Sequence, residues 1–462
     1  MSKRRRRRTG LSQIGAPSEE ADEIVTPVNL PSASAFSTRT LKRNHVLPLT
    51  AICARVFVAN FPKLSKDSRQ WEPTQAWRVV GARLKILPDS TIQTLFAMLG
   101  SSHPELLSHE LVKEYFLRGH SVTLTSGMGG VRSPVSKYTV GALATMGPGL
   151  VRLHLTGFDK MTDQSFAAII SCHPSLEDLS LCGCTLVGPK TIQAAARACS
   201  SLTSVNLNYT SVTPLALASL LRSHKERLEV LKVAGISSWT DTAFAKLHAE
   251  LLTTGAFRLP VLRTLKLRQT SLSDASVNAL IPMVPKLRRV DVSFTDIRRS
   301  LSTSHYDFAD LEKLSVTSTA VSPDDLIPSH GQRSAYSVSP MTFTDDHLRS
   351  LTAVLSSNTA IENINLVGNT KLARDGDSIA EFLLLVGRRL KKLNLSGISF
   401  LRSSDLLNLS PADPAGAACT LQELSLNNTG IDDEAATYIS FAGTKLSSAS
   451  QRTVSQLELT LL

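Results

Sequence analysis

Apolar and polar residues recur in a fixed phrase, Leu-x-x-Leu-x-Leu, along the last two thirds of this chain. The phrase opens at Leu150, Leu176, Leu202 and Leu228, in three successive steps of 26 residues. Looser copies open at Leu262, Leu287, Leu311, Ile361, Leu390, Leu421 and Val454. One strand and one return segment, repeated about eleven times, predict a solenoid, because such a unit buries its apolar face only against its neighbours.

The spacing inside one phrase predicts a short strand. In the phrase LEDLSL, Leu179 and Leu181 point to one face, while Ser180 and Cys182 point to the other. Position nine is a small polar residue in most copies, where the chain leaves the strand and backbone groups need partners. These residues are Cys184, Thr210, Thr270, Thr295, Thr319, Asn369 and Thr429.

The return segments predict helices on the convex side. Segments such as QSFAAII and AFAKLHAELL carry apolar residues at intervals of three and four. Several begin with a hydroxyl residue followed by Asp, as in Thr162-Asp163, Thr240-Asp241, Ser273-Asp274 and Thr344-Asp345. The pair is expected to cap free N–H groups of its own helix, where the acid also favours the positive end.

These phrases resemble leucine-rich repeats of the cysteine-containing, ribonuclease-inhibitor-like class, which is found in F-box and related ubiquitin-ligase adaptors. The resemblance rests on stretches such as LSLCGCTLVGPKTI and LSDASVNAL, although only Cys184 matches the class cysteine. It implies an α/β fold: an open leucine-rich-repeat solenoid with a parallel concave sheet and convex helices.

Composition divides the chain into three parts. Residues 1–45 are rich in Arg, Ser, Pro and acids, which predicts a disordered basic tail. Residues 46–117 have helical periodicity without the repeat, which predicts a cap over the open end of the solenoid. The solenoid is expected over residues 118–462, with loops inserted near 318–342 and 402–418.

The charge balance predicts no strongly basic surface outside the tail. The net charge is +11, from 50 Lys and Arg against 39 acids, and the run Lys3 to Arg8 alone carries six positive charges. This run is typical of a nuclear-import signal, or of a solvated segment that contacts nucleic acid only weakly, because no aromatic residues accompany it. Six cysteines without a disulfide framework and the lack of a long apolar run favour the nucleus or cytoplasm and no membrane span.

No catalytic, cofactor or metal motif is expected. GMGG at residues 127–130 lacks the residues of a phosphate-binding loop, and the Cys182-x-Cys184 pair lacks a second pair at zinc spacing. His154 is a lone residue of the concave face. The chain is therefore expected not to be an enzyme.

The concave face is the predicted binding surface. Positions three, five and seven of the middle phrases carry cations, flanked by asparagines that can donate and accept hydrogen bonds. The sequence therefore predicts a site for an acidic or phosphorylated partner, against the alternative of a merely solvated strand face. The predicted contact residues are Lys232, Lys266, Arg268, Arg289, Asn206, Asn208, Asn365 and Asn394.

A second candidate site lies in the cap. Pro48-Leu49-x-x-x-Cys53 resembles the start of the elongin-binding box, whose Leu and Cys insert into elongin C. The order of basic tail, box, cap and repeats resembles the Rad-family leucine-rich-repeat repair proteins of fungi, although Phe57 stands where the box prefers an aliphatic residue. Leu87-Pro88 with Ile92, Leu95 and Phe96 resembles the opening of an F-box equally well. A plain capping helix is the third alternative.

These resemblances imply a substrate receptor of a cullin-type ubiquitin ligase, with elongin C or Skp and a cullin as partners. The alternatives are a non-catalytic nuclear scaffold in DNA repair or chromatin, and a GTPase-activating protein of the Ran type, which uses the same kind of solenoid.

Overall fold

The computed structural model forms one sheet with helices along one side. It describes residues 48–66, 75–126, 135–253, 255–298, 312–316, 319, 335–337, 343–356, 361–409, 419–432 and 458–460. Over these residues thirteen strands follow one another in chain order, and the first twelve pair in parallel. The chain is thus an α/β leucine-rich-repeat solenoid with an open sheet, as the repeated phrase predicts.

The strands are short, and most of them lie at the predicted phrases. They are β1 (Ser121–Thr125), β2 (Arg152–Thr156), β3 (Asp178–Ser180), β4 (Ser204–Asn206), β5 (Val230–Lys232), β6 (Thr264–Lys266), β7 (Arg289–Asp291), β8 (Lys313–Ser315), β9 (Ala335–Ser337), β10 (Asn363–Asn365), β11 (Lys392–Asn394), β12 (Glu423–Ser425) and β13 (Glu458–Thr460).

The helices occupy the cap and the return segments. They are α1 (Leu49–Lys66), α2 (Gln75–Ile86), α3 (Asp89–Ser102), α4 (His109–Leu111), α5 (Lys137–Gly141), α6 (Asp163–Ser171), α7 (Pro189–Ala198), α8 (Ala218–Ser223), α9 (Asp241–Leu252), α10 (Asp274–Leu280), α11 (Asp345–Ser356) and α12 (Asp377–Leu385). Short 3-10 turns supplement them at Pro104–Leu106, Ala142–Thr145, Pro214–Leu217, Ile281–Met283, Gly387–Arg389 and Ser403–Leu409, and a π turn at Val112–Phe116.

The leucines of the phrase fix the register of the sheet. Leu179 of β3 pairs with Leu153 of β2 and Val205 of β4, so apolar residues stack in one continuous row. These three side chains are buried, as are the residues at the same register position in other strands, namely Val122, Leu231, Leu265, Val290, Leu314, Ile364, Leu393 and Leu424. Removing this apolar row from water is the main stabilising contribution, at roughly 25 cal/mol for each Å² of apolar surface.

The polar residue at position nine caps its own strand, as predicted. The hydroxyls of Thr210, Thr270, Thr295, Thr319 and Thr429 each donate to the carbonyl three residues earlier, over 2.6–2.8 Å. The side-chain amide of Asn369 does the same for Leu366, also at 2.8 Å. Cys184, in contrast, directs its thiol to the carbonyl of Leu155 in the preceding repeat.

The hydroxyl of the capping pairs caps its own helix, as predicted: Thr162, Thr240 and Ser273 accept from first-turn N–H groups. The Asp of the pairs, in contrast, serves the following helix. The carboxylate of Asp163 in α6 accepts from the N–H groups of Gly188, Lys190 and Thr191, each at 2.9 Å, at the start of α7. Because the N-cap of α7 is Gly188, that helix has no side-chain cap of its own. In the same way, the carboxylate of Asp241 accepts from the N–H of Ser273, and the carboxylate of Asp345 accepts from the N–H of Ala373.

Because of these carboxylates, we expect the protein to lose stability in acid. Burial alone raises the pKa of Asp163, but hydrogen bonds from Thr191, Gly188 and Lys190 outweigh it and hold that pKa below its ordinary value; Asp241 behaves alike through Ser273 and Ser276. The stabilisation is therefore present above the ordinary carboxyl pKa and is lost as pH falls through the lower folded value. We expect urea midpoints to fall between about pH 5 and pH 3, and less steeply in the Asp163→Asn, Asp241→Asn variant. If the urea midpoints of wild type and variant fell equally steeply with pH, Asp163 and Asp241 would not be the source of the acid sensitivity.

Three aromatic rings pack in succession in the core of the cap. Phe61 of α1 meets the ring of Trp77 in α2 at 6.2 Å, and Trp77 meets Tyr115 at 5.9 Å, both edge to face. The sequence pattern does not indicate α2 clearly, because Val79, Val80 and Gly81 weaken its helical character. Gly81 is required there, because a Cβ would crowd the Tyr115 hydroxyl.

Three segments depart from the simple repeat. Residues 335–337, inside the predicted loop 318–342, form β9, where Tyr336 takes the place of a phrase leucine. Residues 403–409 of the second predicted loop form a 3-10 helix. The last phrase forms β13, which pairs with β12 in the antiparallel and not the parallel direction. The tail 1–45, the GMGG segment and the remainder of both loops lie outside the described residues.

Candidate functional site

Four predicted contact residues form a concave cationic strip, namely Lys232, Lys266, Arg268 and Arg289. Lys232 of β5 lies opposite Lys266 of β6 in the parallel register. Arg268 follows two residues after Lys266 on the same face, and Arg289 pairs with Thr264 at the other end of β6. The three-strand register thus gathers cations that are 57 residues apart in the sequence.

Carboxylates neutralise part of this surface at the edge where the strands begin. Arg288 and Arg289 both face Glu312, at 3.2 and 3.7 Å, and Arg263 faces Glu229 at 3.9 Å. These pairs are exposed, so each contributes at most about 1 kcal/mol. For Arg268, no ion pair is found among the described residues; its guanidinium lies over the Phe294 ring, 5.0 Å from the centroid.

The predicted asparagines mostly serve the backbone, which corrects their assignment as freely available hydrogen-bonding groups. In Asn206, Asn365 and Asn394 the side-chain oxygen accepts from the N–H two residues later, at 3.0–3.1 Å. The oxygen of Asn208 accepts from the N–H of Ala234 in the next repeat at 2.9 Å. Asn206 and Asn208 are also buried. Their oxygens therefore support the strand ends.

His154 has a partner that the sequence did not indicate. Its Nε2 lies 2.9 Å from the carboxylate of Asp178, on the neighbouring strand β3. Burial by itself raises the pKa of Asp178, but the hydrogen bond and charge of His154, with Ser204 and Lys232, bring that pKa below its ordinary value. The negative charge at this end of the concave face borders the cationic strip.

The predicted docking residues of the cap lie on an exposed apolar stripe of α1, which consists of Leu49, Ile52, Cys53 and Val56. Leu49 is 74% exposed, Val56 57% and Ile52 40%, and Cys53 is exposed as well. The opposite face of α1 packs into the cap through Ala54, Val58 and Phe61. An apolar stripe at intervals of three and four residues, facing solvent, is typical of a helix that binds a partner.

Phe57, which stands where the elongin-binding box prefers an aliphatic residue, does not belong to this stripe. It is half-buried against the core, with its ring 5.8 Å from that of Phe61. The F-box-like residues Ile92, Leu95 and Phe96 are buried inside the cap. Their side chains are therefore held by the cap core and are not presented at its surface.

Among the described residues, two buried cysteines and the possible metal ligands can be assessed directly. Burial raises the pKa of Cys184 and of Cys199 to about 12, so neither thiol is a nucleophile at neutral pH. In the described part of the chain, no cluster of three or more His, Cys, Asp or Glu side chains is suited to a metal ion. Among the described helices, none combines the length and apolarity needed to cross a membrane.

Comparison with known proteins finds leucine-rich-repeat structures at low similarity. No family model matches the chain. The crystal structure of the yeast Rad7 and Elc1 complex matches at 16% identity over 85% of this chain and 90% of that chain, with a TM-score of 0.44. An internalin from Listeria monocytogenes matches at 13% identity over 77% of this chain and 85% of that chain, with a TM-score of 0.31. A leucine-rich-repeat protein from Leptospira interrogans matches at 16% identity over 71% of this chain and 72% of that chain, with a TM-score of 0.35. Similarity at this level does not assign the chain to a family.

Proposed function

We propose that this protein is a non-catalytic recognition scaffold that serves as a substrate receptor of a cullin-type ubiquitin ligase. The stripe of α1 docks the elongin C subunit of the ligase core, and the concave cationic strip selects an acidic partner. The exposed stripe is the observation that carries this proposal. It contains Leu49 and Cys53, the two residues that resemble the elongin-binding box, in an accessible position.

Other features of the molecule support the same arrangement. The buried face of α1 fixes the helix rigidly on the cap, so the stripe is presented without ordering a flexible segment. Phe57, which departs from the box pattern, turns inward and leaves the stripe unobstructed. The concave strip lies on a different part of the chain, in the repeats around β5–β7. One protein can therefore contact the ligase core and a substrate by separate surfaces.

The test is titration of the purified full chain with purified elongin C, and separately with purified Skp. Wild type is expected to bind elongin C, and the Leu49→Ala, Cys53→Ala variant to bind about a hundredfold more weakly. Burying one Leu side chain contributes roughly 1.5–3 kcal/mol, and each 1.4 kcal/mol is about tenfold in affinity. The thermal midpoint should be unchanged, because both replaced side chains are exposed.

A matched control is available on α2. Val79 is 57% and Ile86 71% exposed, and both lie outside the stripe. The Val79→Ala, Ile86→Ala variant is expected to bind elongin C like wild type. Equal weakening of both variants would indicate nonspecific apolar contact, and absence of binding to elongin C by wild type would overturn the proposed docking.

A further inference from the structure

Position eight has a left-handed backbone in the nine phrases, between those opening at Leu150 and Leu421, in which that position is described. Glycine occupies it five times, at Gly157, Gly183, Gly235, Gly368 and Gly397, with φ between 68° and 79°. Asn428, a residue type that tolerates this region, occupies it once at φ 52°. In the middle repeats, however, the position holds Tyr209, Gln269 and Phe294, with φ between 56° and 58°. Bulky side chains in this region are strained, and such strain tends to persist where function requires it.

The first two of these residues are joined across the intervening repeat. The ring of Tyr209 lies over Gly235, where any Cβ would overlap the ring carbons. The Tyr209 hydroxyl then donates to Oε1 of Gln269 at 2.8 Å, two repeats away. The phenol therefore reaches its partner only because glycine stands between them, and both side chains remain half-exposed.

Phe294, the third of these residues, positions Arg268. Arg268 is the strip cation for which no acid partner is found among the described residues. The guanidinium of Arg268 lies 5.0 Å from the centroid of the Phe294 ring, and its Nε is buried without a hydrogen-bond partner in the described structure. Arg289, by comparison, is exposed and faces Glu312. A guanidinium that is fixed by a ring and free of carboxylates is ready to bind an anion, with little ordering required.

We propose that Tyr209, Gln269, Arg268 and Phe294 form a rim cluster that anchors an extended acidic segment of a partner protein, with Arg268 binding a carboxylate. This inference rests on the proposed concave recognition and names its anchor. Lys266 lies two residues before Arg268, and Lys232 lies opposite Lys266 on the neighbouring strand β5. Cations distributed over two strands suit several carboxylates along an extended peptide better than a single anion. The flanking aromatic side chains supply apolar contact area of the kind found at interface hot spots.

The experiment measures binding of a fluorescein-labelled peptide of alternating Glu and Ser by the purified full chain, using fluorescence anisotropy. Arg268→Lys keeps the charge but loses the planar fork and the ring contact, so binding is expected to weaken about tenfold. Arg197→Lys, the same change at an exposed arginine of the convex helix α7 outside the strip, is the matched control and is expected to change binding less than about twofold. Phe294→Leu, which removes only the ring, should weaken binding about threefold. Thermal unfolding of each variant reports whether it is folded.

Each outcome decides the inference. Selective weakening by Arg268→Lys and Phe294→Leu supports it, whereas equal effects of Arg268→Lys and Arg197→Lys overturn the anchor. A peptide with Gln in place of Glu should not bind. Binding of only a phosphoserine-containing peptide, or stronger binding of a single-stranded oligonucleotide, overturns the carboxylate assignment. The titration with elongin C does not involve the rim cluster. If the protein binds elongin C but the peptide experiment fails, only the rim-cluster inference is overturned, and the proposed docking by α1 stands.

Discussion

Replacing Asp163 by Ala is expected to lower the free energy of unfolding by about 2–3 kcal/mol. The change removes the acceptor from the N–H groups of Gly188, Lys190 and Thr191 and from the Thr191 hydroxyl. Gly188 and Thr191 are buried, so water cannot readily replace the carboxylate, and the Gly188 N-cap offers no substitute. Urea unfolding of the purified variant measures the loss.

Two further variants make this expectation specific to the carboxylate. Asp163→Asn keeps one oxygen as acceptor and is expected to lose about half as much stability as Asp163→Ala. Asp296→Ala is the control, because Asp296 is exposed and its carboxylate makes no hydrogen bond or ion pair with the described residues; it should change stability by less than about 0.5 kcal/mol. If Asp163→Ala proved as mild as Asp296→Ala, the contact between repeats would not contribute to stability.

The parts of the fold that depend on local spacing could be predicted from the sequence. Leucines at positions one, four and six give the strand register directly, because identical units must stack in phase. The threonines at position nine bond to a carbonyl three residues earlier, a contact within one phrase. The cationic strip was also predictable, since the same phrase positions on adjacent repeats come together in a parallel sheet.

Contacts between repeats were not predictable in the same way. A Thr-Asp pair before a helix is an ordinary local cap, and nothing in the local pattern shows that Asp163 reaches the next helix. An Asn on a strand face can serve a partner or its own backbone, and only the geometry shows that Asn206, Asn365 and Asn394 do the latter. The resemblance to the elongin-binding box likewise pointed to Leu49 and Cys53 without showing that they lie on an exposed face of α1.

Replacing Gly235 by Ala is expected to lower the free energy of unfolding by about 2–3 kcal/mol. An L residue at φ 68° costs about 1–2 kcal/mol. The added Cβ also displaces the Tyr209 ring, which costs the hydrogen bond to Gln269, worth about 1 kcal/mol. Gly100→Ala in α3 gives the opposite sign, a gain of about 0.5–1 kcal/mol, because nothing lies near its Cβ position and Ala favours a helix.

A double-mutant cycle separates the backbone strain from the ring contact. In a Tyr209→Ala background the ring and its hydrogen bond are already lost, so Gly235→Ala should cost only the backbone part, about 1–2 kcal/mol. The difference between the two backgrounds measures the contact of Tyr209 with Gly235. If Gly235→Ala costs the same in both, the ring does not rest on Gly235, and the rim cluster loses the contact that aligns Tyr209 with Gln269. A smaller cost in the Tyr209→Ala background would show that Gly235 holds the rim cluster together.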